Sequence, residues 1–283
     1  MPLLMKTILV PTDFSPTADF AIRYAYELAG LYEGSIILYH TFIPFESGFY
    51  SPEQRRKDNL ETENNLVRRL TTIRETISTE GKNIPIDIQV DRGPSSVRLL
   101  EFCKKKNIDL IVMGTTGATG LKEVVIGSFT ADIMTSAPCP VLAIPNGYQF
   151  RMPQTITYAS DYLSNEIPAI RYLLALNEFF KAKINFLHID DTDVAPAESE
   201  RQFEGFRQAV ESNFPGLSLS FRHIAAEDIA LEIVKTAINE NIDLLAMSPV
   251  RREGFWDCLM KRSVTKTIAH QIPIPLLAIP DLS

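Results

Sequence analysis

The chain repeats itself, and the repeat limits its possible folds more than any single motif. Ala21-Ile22-Arg23-Tyr24 returns as Ala169-Ile170-Arg171-Tyr172, 148 residues later. Asp13 and Asp161 share that spacing, as do His40 and His188, each of which closes an apolar run. Further on, Asn107-Ile108-Asp109-Leu110 returns as Asn241-Ile242-Asp243-Leu244 after 134 residues, and Pro140 to Pro145 returns as Pro275 to Pro280 after 135. The order is kept, and the second copy is about 14 residues shorter in its middle (148 minus 134). So long a period marks a duplicated domain, not a solenoid of short units. A chain of 283 residues has room for two domains of ordinary size, each with a sizeable core. The copies divide as residues 1–147 and 153–283, joined by the brief linker Asn146–Pro153. A link this short keeps them close together.

Within the first copy, short Ile-, Val- and Leu-rich runs alternate with helical patterns. The strands read Thr7–Pro11, Ser35–His40, Ile84–Val90, Leu110–Met113 and Val141–Ile144. Continuous apolar strands suit a sheet covered on both faces. The helices read Thr17–Tyr32, a charged stretch from Glu53 to Glu80, Ser95–Lys105 and Ser128–Thr135. Strict strand–helix alternation implies an α/β fold, with parallel strands and right-handed crossovers. Ligands of such sheets sit at the carboxyl ends of the strands. Asp13, His40-Thr41 and Gly114 all fall there.

At one of those ends the run Asp109–Met113 enters Gly114-x2-Gly117-x9-Gly127-Ser128, and a helix pattern leaves it at Phe129. Glycines after a strand allow close approach to an anion and a positive φ. The following helix start offers free N–H groups and a positive dipole end. The loop suits nucleotide phosphates, or else is a plain tight turn. It is neither a Walker A loop nor the Gly-x-Gly-x-x-Gly dinucleotide fingerprint. Together with Lys6-Thr-Ile-Leu-Val-Pro-Thr-Asp13 and the closing Ala137-Pro-Cys-Pro-Val-Leu-Ala-Ile144, the pattern resembles the universal stress protein family. The resemblance covers about residues 5–145 strongly and 155–280 as a diverged copy. It implies two tandem doubly wound α/β domains, each a five-stranded parallel sheet of order 3-2-1-4-5 flanked by helices. It also implies binding of an adenine nucleotide (ATP, ADP or AMP) in the first domain, with a regulatory or protective role in the stress response. On the matching positions, Pro11 and Thr12 would line the base pocket. Asp13 would meet the base or ribose, and Thr41 would offer backbone groups to adenine. Gly114, Gly117, Gly127, Ser128, Phe129 and Thr130 would hold the phosphates. Val112 and Met113 either pack near the nucleotide or are core residues of their strand. Mg²⁺ is expected with a triphosphate on charge grounds. Family members pair their last strands, so the tandem chain would be an intramolecular pseudo-dimer that also covers two sheet edges. A further homodimer would use another face.

Plainer readings accompany several of these residues. Asp13 would also serve as N-cap of the helix starting near Ser15 or Pro16. His40 reads as a packed strand-end histidine. No nucleophile, base and orienting group stand together, so no catalytic set is read, and at most slow ATP hydrolysis or phosphotransfer at the same site is a rival function. A protein-interaction module without nucleotide is a third. In the second copy Gly114 becomes Ser248, followed by Pro249, and Gly117 becomes Arg251. With a one-residue insertion, Gly127 becomes Arg262 and Ser128 becomes Ser263. Side chains there crowd a phosphate path, and Pro249 removes a donor. Arg251, Arg252, Lys261 and Arg262 form either a side-chain anion site or a solvated basic loop. Trp256 is an unusual apolar residue among them. A formal net charge of −7 speaks against general nucleic-acid binding. Three cysteines without metal-like spacing suit a reducing cytosol, so a cytoplasmic protein is expected. No apolar run approaches the length of a membrane span.

Overall fold

The computed structural model describes residues 5–115, 127–162, 166–191, 194–249 and 273–282. The first half contains β1 (Thr7–Pro11), α1 (Pro16–Tyr32), β2 (Ser35–Phe42), α2 (Pro52–Ser78), β3 (Ile86–Arg92), α3 (Ser95–Lys106), β4 (Leu110–Gly114), α4 (Ser128–Ser136) and β5 (Val141–Ile144). The second half contains β6 (Thr155–Ala159), α5 (Ile167–Phe180), β7 (Lys183–Asp191), α6 (Pro196–Asn213), β8 (Ser220–Ala226), α7 (Ile229–Asn239), β9 (Leu244–Met247) and β10 (Leu276–Ala278).

All ten strands form one sheet, ordered β3-β2-β1-β4-β5-β10-β9-β6-β7-β8. Each half is parallel within itself and has the order 3-2-1-4-5. They meet antiparallel at β5 and β10, with Leu276 opposite Ala143 and Ala278 opposite Val141. The closing strands thus cover each other's edges, the usual remedy for an exposed ladder. Tyr32 of α1 reinforces the junction, donating its hydroxyl to the Leu176 carbonyl of α5 at 2.8 Å and packing on Phe179. The linker is packed down too: Phe150 meets the Tyr24 ring edge-on at 5.0 Å.

Local chemistry sets the helix limits. The Ser15 side chain caps α1 through the Ala18 N–H, and the Ser51 side chain caps α2 through that of Gln54, with proline at the first position of each helix. Every non-glycine residue of positive φ among the described residues has a partner in the other copy. Phe14 matches Tyr162, Glu33 matches Lys181, and Asn107 matches Asn241, at spacings of 148, 148 and 134. Duplication therefore preserved the strained corners as well as the sequence. A carboxylate clamp is duplicated likewise. Asp109 accepts the N–H groups of Lys6 and Thr7, both at 2.9 Å, and Asp243 accepts those of Gln154 and Thr155 at 2.8 and 3.0 Å.

Two expectations are corrected. β3 starts at Ile86 instead of Ile84, because Pro85 cannot donate to a ladder and contributes only its carbonyl, to Ile36. The core is divided by sheet face and not by domain. Ile8, Val10, Leu142, Ile156, Tyr158 and Leu277 belong to one apolar layer. Leu9, Ile111, Val141, Leu245 and Leu276 belong to the other. Both layers run through the two halves, since side chains alternate between faces of a sheet that is continuous.

Candidate functional site

At the carboxyl ends of β1, β2 and β4 lies a cavity of about 350 Å³. The tip of β1 contributes Pro11, Thr12 and Asp13; that of β2 contributes Tyr39, His40 and Thr41; that of β4 contributes Met113 and Gly114. Three helices begin at its rim and supply Ala18 of α1, Ser95 and Leu99 of α3, and Phe129 and Thr130 of α4, with Gly127 just ahead of α4. Convergent helix starts aim positive dipole ends and N–H groups into a crevice.

The β1 corner is held rigidly. The Thr12 N–H donates to the Tyr39 carbonyl at 2.9 Å, and its side-chain oxygen accepts the Phe14 N–H at 3.0 Å. The Thr12 carbonyl accepts from His40 Nδ1 at 2.6 Å, so that nitrogen carries the proton. In the second half the same bond joins His188 Nδ1 to the Ser160 carbonyl, 2.7 Å apart. A bond kept in both halves belongs to the fold, which bears out His40 as a packed strand-end residue, here one that also borders the cavity. Asp13 is not the helix cap; Ser15 is. Asp13 accepts the Ser15 N–H at 3.0 Å while its exposed carboxylate faces the cavity rim. Across the opening, the hydroxyls of Thr41 and Ser95 bond at 2.7 Å. Tyr39 is anchored by Asp91 at 2.8 Å, and its hydroxyl is pushed far up, first by burial and then by that carboxylate.

At the β4 end, the Thr115 N–H reaches the Ile144 carbonyl at 3.0 Å and the Thr115 carbonyl accepts the Gly127 N–H at 2.7 Å. Thr130 donates its hydroxyl to the Gly114 carbonyl at 2.9 Å. These bonds bring the two ends of the glycine segment together, and no side chain caps α4. Neither Gly114 nor Gly127 has the positive φ that glycine allows. Gly127 has φ −65°, which needs no glycine. A Cβ on Gly114 would stand 2.7 Å from Thr17 Cγ2 and 3.2 Å from its backbone, so this glycine lets β4 pack against α1.

Of the residues singled out in the sequence, Pro11, Thr12, Asp13, Thr41, Met113, Gly114, Gly127, Phe129 and Thr130 border one cavity. Val112 does not; it is fully buried in the layer on the other sheet face. Ser128 opens α4 without bordering the cavity. Gly117 and the second copy's Arg251, Arg252, Trp256, Lys261, Arg262 and Ser263 lie outside the described residues. Ala18, Tyr39, Ser95 and Leu99 were missed. Ser95 and Leu99 carried a signal, for they are one turn apart at the start of a helix that follows a strand.

At the corresponding place in the second half stands a hydrogen-bonded cluster of polar side chains. Glu166 stands where Ala18 does, Ser160 where Thr12 does, and Ser248 where Gly114 does. Glu166 is buried and accepts hydroxyls from Tyr158, at 3.1 Å, and from Ser160. Tyr158 and Ser248 share a hydroxyl bond of 2.8 Å. Burial pushes the Glu166 carboxyl up to about 7, against the partial relief of those hydroxyls.

Among the described residues, no group of three or more His, Cys, Asp and Glu side chains could hold a metal ion, and no helix is long and apolar enough to cross a membrane.

A parallel strand order of 3-2-1-4-5, present twice in one chain, defines the class of protein. The chain belongs to the universal stress protein family, whose family model matches residues 5–145 and again 152–280. Two universal stress proteins of Methanocaldococcus jannaschii are similar to half of it. One is 27% identical over 148 residues, covering 50% of this chain and 82% of that protein. The other is 28% identical over 157 residues, covering 51% and 97%. A universal stress protein from Archaeoglobus fulgidus superposes over 99% of this chain and 97% of its own with a TM-score of 0.67, at 14% identity. A family member from Pseudomonas aeruginosa does so over 98% and 93% with a TM-score of 0.60, at 16% identity. At such identities the likeness is one of fold.

Proposed function

We propose that the first domain, residues 1–147, binds one adenine nucleotide, and that the second, residues 153–283, is a partner domain that binds none. The observation carrying this reading is the cavity at the tips of β1, β2 and β4, bordered by both described ends of the glycine segment. The base and ribose would lie between Pro11, Asp13 and Thr41, and the phosphates toward Gly114 and the start of α4. Among the described residues, the polar side chains around the cavity are mostly oxygen donors, Asp13 among them, with no Lys or Arg. That donor set suits a hard cation riding on the phosphates, so Mg²⁺ would accompany ATP and supply positive charge beside the described lining. The protein would then be a nucleotide-responsive regulator or protectant in the stress response, its second domain carrying the Glu166–Tyr158–Ser248 cluster at the corresponding place.

The test is chemical. Acid extraction of freshly purified protein should release adenine nucleotide, identified by mass spectrometry. Gly117→Arg, which imports the residue of the second copy, should abolish its retention while circular dichroism stays unchanged. Retention by a folded variant would place the phosphate path elsewhere.

A further inference from the structure

Next to the Glu166 cluster, the second half carries polar groups at two places that are apolar in the first. His188 keeps the place of His40, and its Nδ1 donates to the Ser160 carbonyl at the tip of β6, 2.7 Å away. Its Nε2 meets Asp190 Oδ1 at 2.8 Å. Asp190 stands where the first copy has Phe42, 148 residues earlier. In the strand register His188 lies beside His223, whereas His40 lies beside Val90. His223 Nε2 bonds the other oxygen of Asp190 and meets the Ser199 hydroxyl at 2.8 Å. Ser199, in the first turn of α6, donates to that same oxygen. His188, Asp190 and Ser199 are all buried.

The hydrogen-bond roles are forced. Carbonyl and carboxylate oxygens only accept, so His188 faces an acceptor at each ring nitrogen and must donate from both. Burial pushes the Asp190 carboxyl up, but the bonds from Ser199, His223 and His188 outweigh it and hold the group below its ordinary value. Asp190 is therefore ionised and cannot be the donor. We propose that Asp190, His188, His223 and Ser199 form a proton-dependent latch, which fastens the start of α6 to the tips of β7 and β8 while His188 carries a proton on each ring nitrogen. The helix has no side-chain cap of its own at Ala195. Aromatic rings cover both imidazoles: Tyr162 stacks on His188 at 3.7 Å, and Phe203 of α6 on His223 at 5.1 Å. The other ionisable groups around the latch are Tyr162 and Asp161 after β6, Glu166 just ahead of α5, and Glu200 of α6. Burial, then the Asp190, Glu166 and Glu200 charges, push the Tyr162 hydroxyl far up, so it stays neutral. Loss of the second His188 proton as pH rises sets a nitrogen lone pair against a carboxylate and opens the latch. On the acid side the Asp190 contribution is present above 3.8 and is lost only as pH falls through its lowered folded value.

The full chain, labelled with ¹⁵N-histidine, tests this. Nitrogen spectra at about pH 6 should show two protonated ring nitrogens for His188, identified by their loss in His188→Gln. One protonated and one bare nitrogen would overturn the proposal without any further variant. Docking of α6 is read by hydrogen exchange over residues 199–206, corrected for the intrinsic rate. Glu166 titrates at about 7, so this series is run in Glu166→Gln. From about pH 6 to about pH 9, protection of α6 should fall roughly tenfold or more, while that of α5 holds. Asp190→Asn should abolish this pH dependence and give His188 one bare nitrogen. Protection of α6 that stays constant over the range would overturn the proposal, as would an equal fall in α5 and α6.

Discussion

Glu166 is a carboxyl group placed where the first copy has Ala18, and its surroundings make a pH-dependent prediction. Its ordinary value of 4.5 is raised to about 7, chiefly by burial. The folded chain therefore holds this proton more tightly than the unfolded chain. The stability it contributes is fully present below about 4.5 and is lost as pH rises through about 7. Glu166→Gln keeps the shape and removes the titration. Relative to wild type, the variant should gain on the order of 3 kcal/mol between pH 4 and pH 8, as an upper bound. Urea midpoints at the two pH values check this, and parallel shifts in both proteins would contradict it. At the same scale, Gly114→Ala should cost roughly 1–3 kcal/mol through overpacking against Thr17. A thermal melt matching wild type would mean that α1 yields freely.

The elements were legible where local chemistry decides them. β1 and β5 appear with the bounds read from sequence, and helix starts followed Ser-Pro and strand-end signals. β3 was misplaced by two residues because a proline's missing N–H matters only once its neighbour strand is known. The glycine segment marked the cavity, but the reason for Gly114 did not show in sequence, since its contact with Thr17 spans nearly a hundred residues. Ala18 and Tyr39 were invisible for a similar reason: an alanine in a helix and a tyrosine in a strand read as core until the crevice beside them exists. The Asp109 and Asp243 clamps tie strand starts across each half, and each leaves two backbone N–H groups unpaired if removed. Asp109→Ala and Asp243→Ala should each cost about 1–3 kcal/mol. Denaturant titration measures both, and a loss within error for either would show that water replaces the carboxylate.

For the whole molecule, one continuous sheet and two shared apolar layers join the halves. A fragment of residues 1–147 would expose the β5 edge that β10 covers. It should self-associate, as light scattering would show, whereas a stable monomeric fragment would mean that the pairing adds little. Duplication freed the second copy to change at its crevice while keeping its corners, clamps and closing strand. The stoichiometry of ligand binding tests this division of labour most directly. Calorimetric titration of the nucleotide-stripped full chain with MgATP should give a single saturable site per chain, lost in Gly117→Arg. Two sites per chain, or none in a correctly folded protein, would contradict the account.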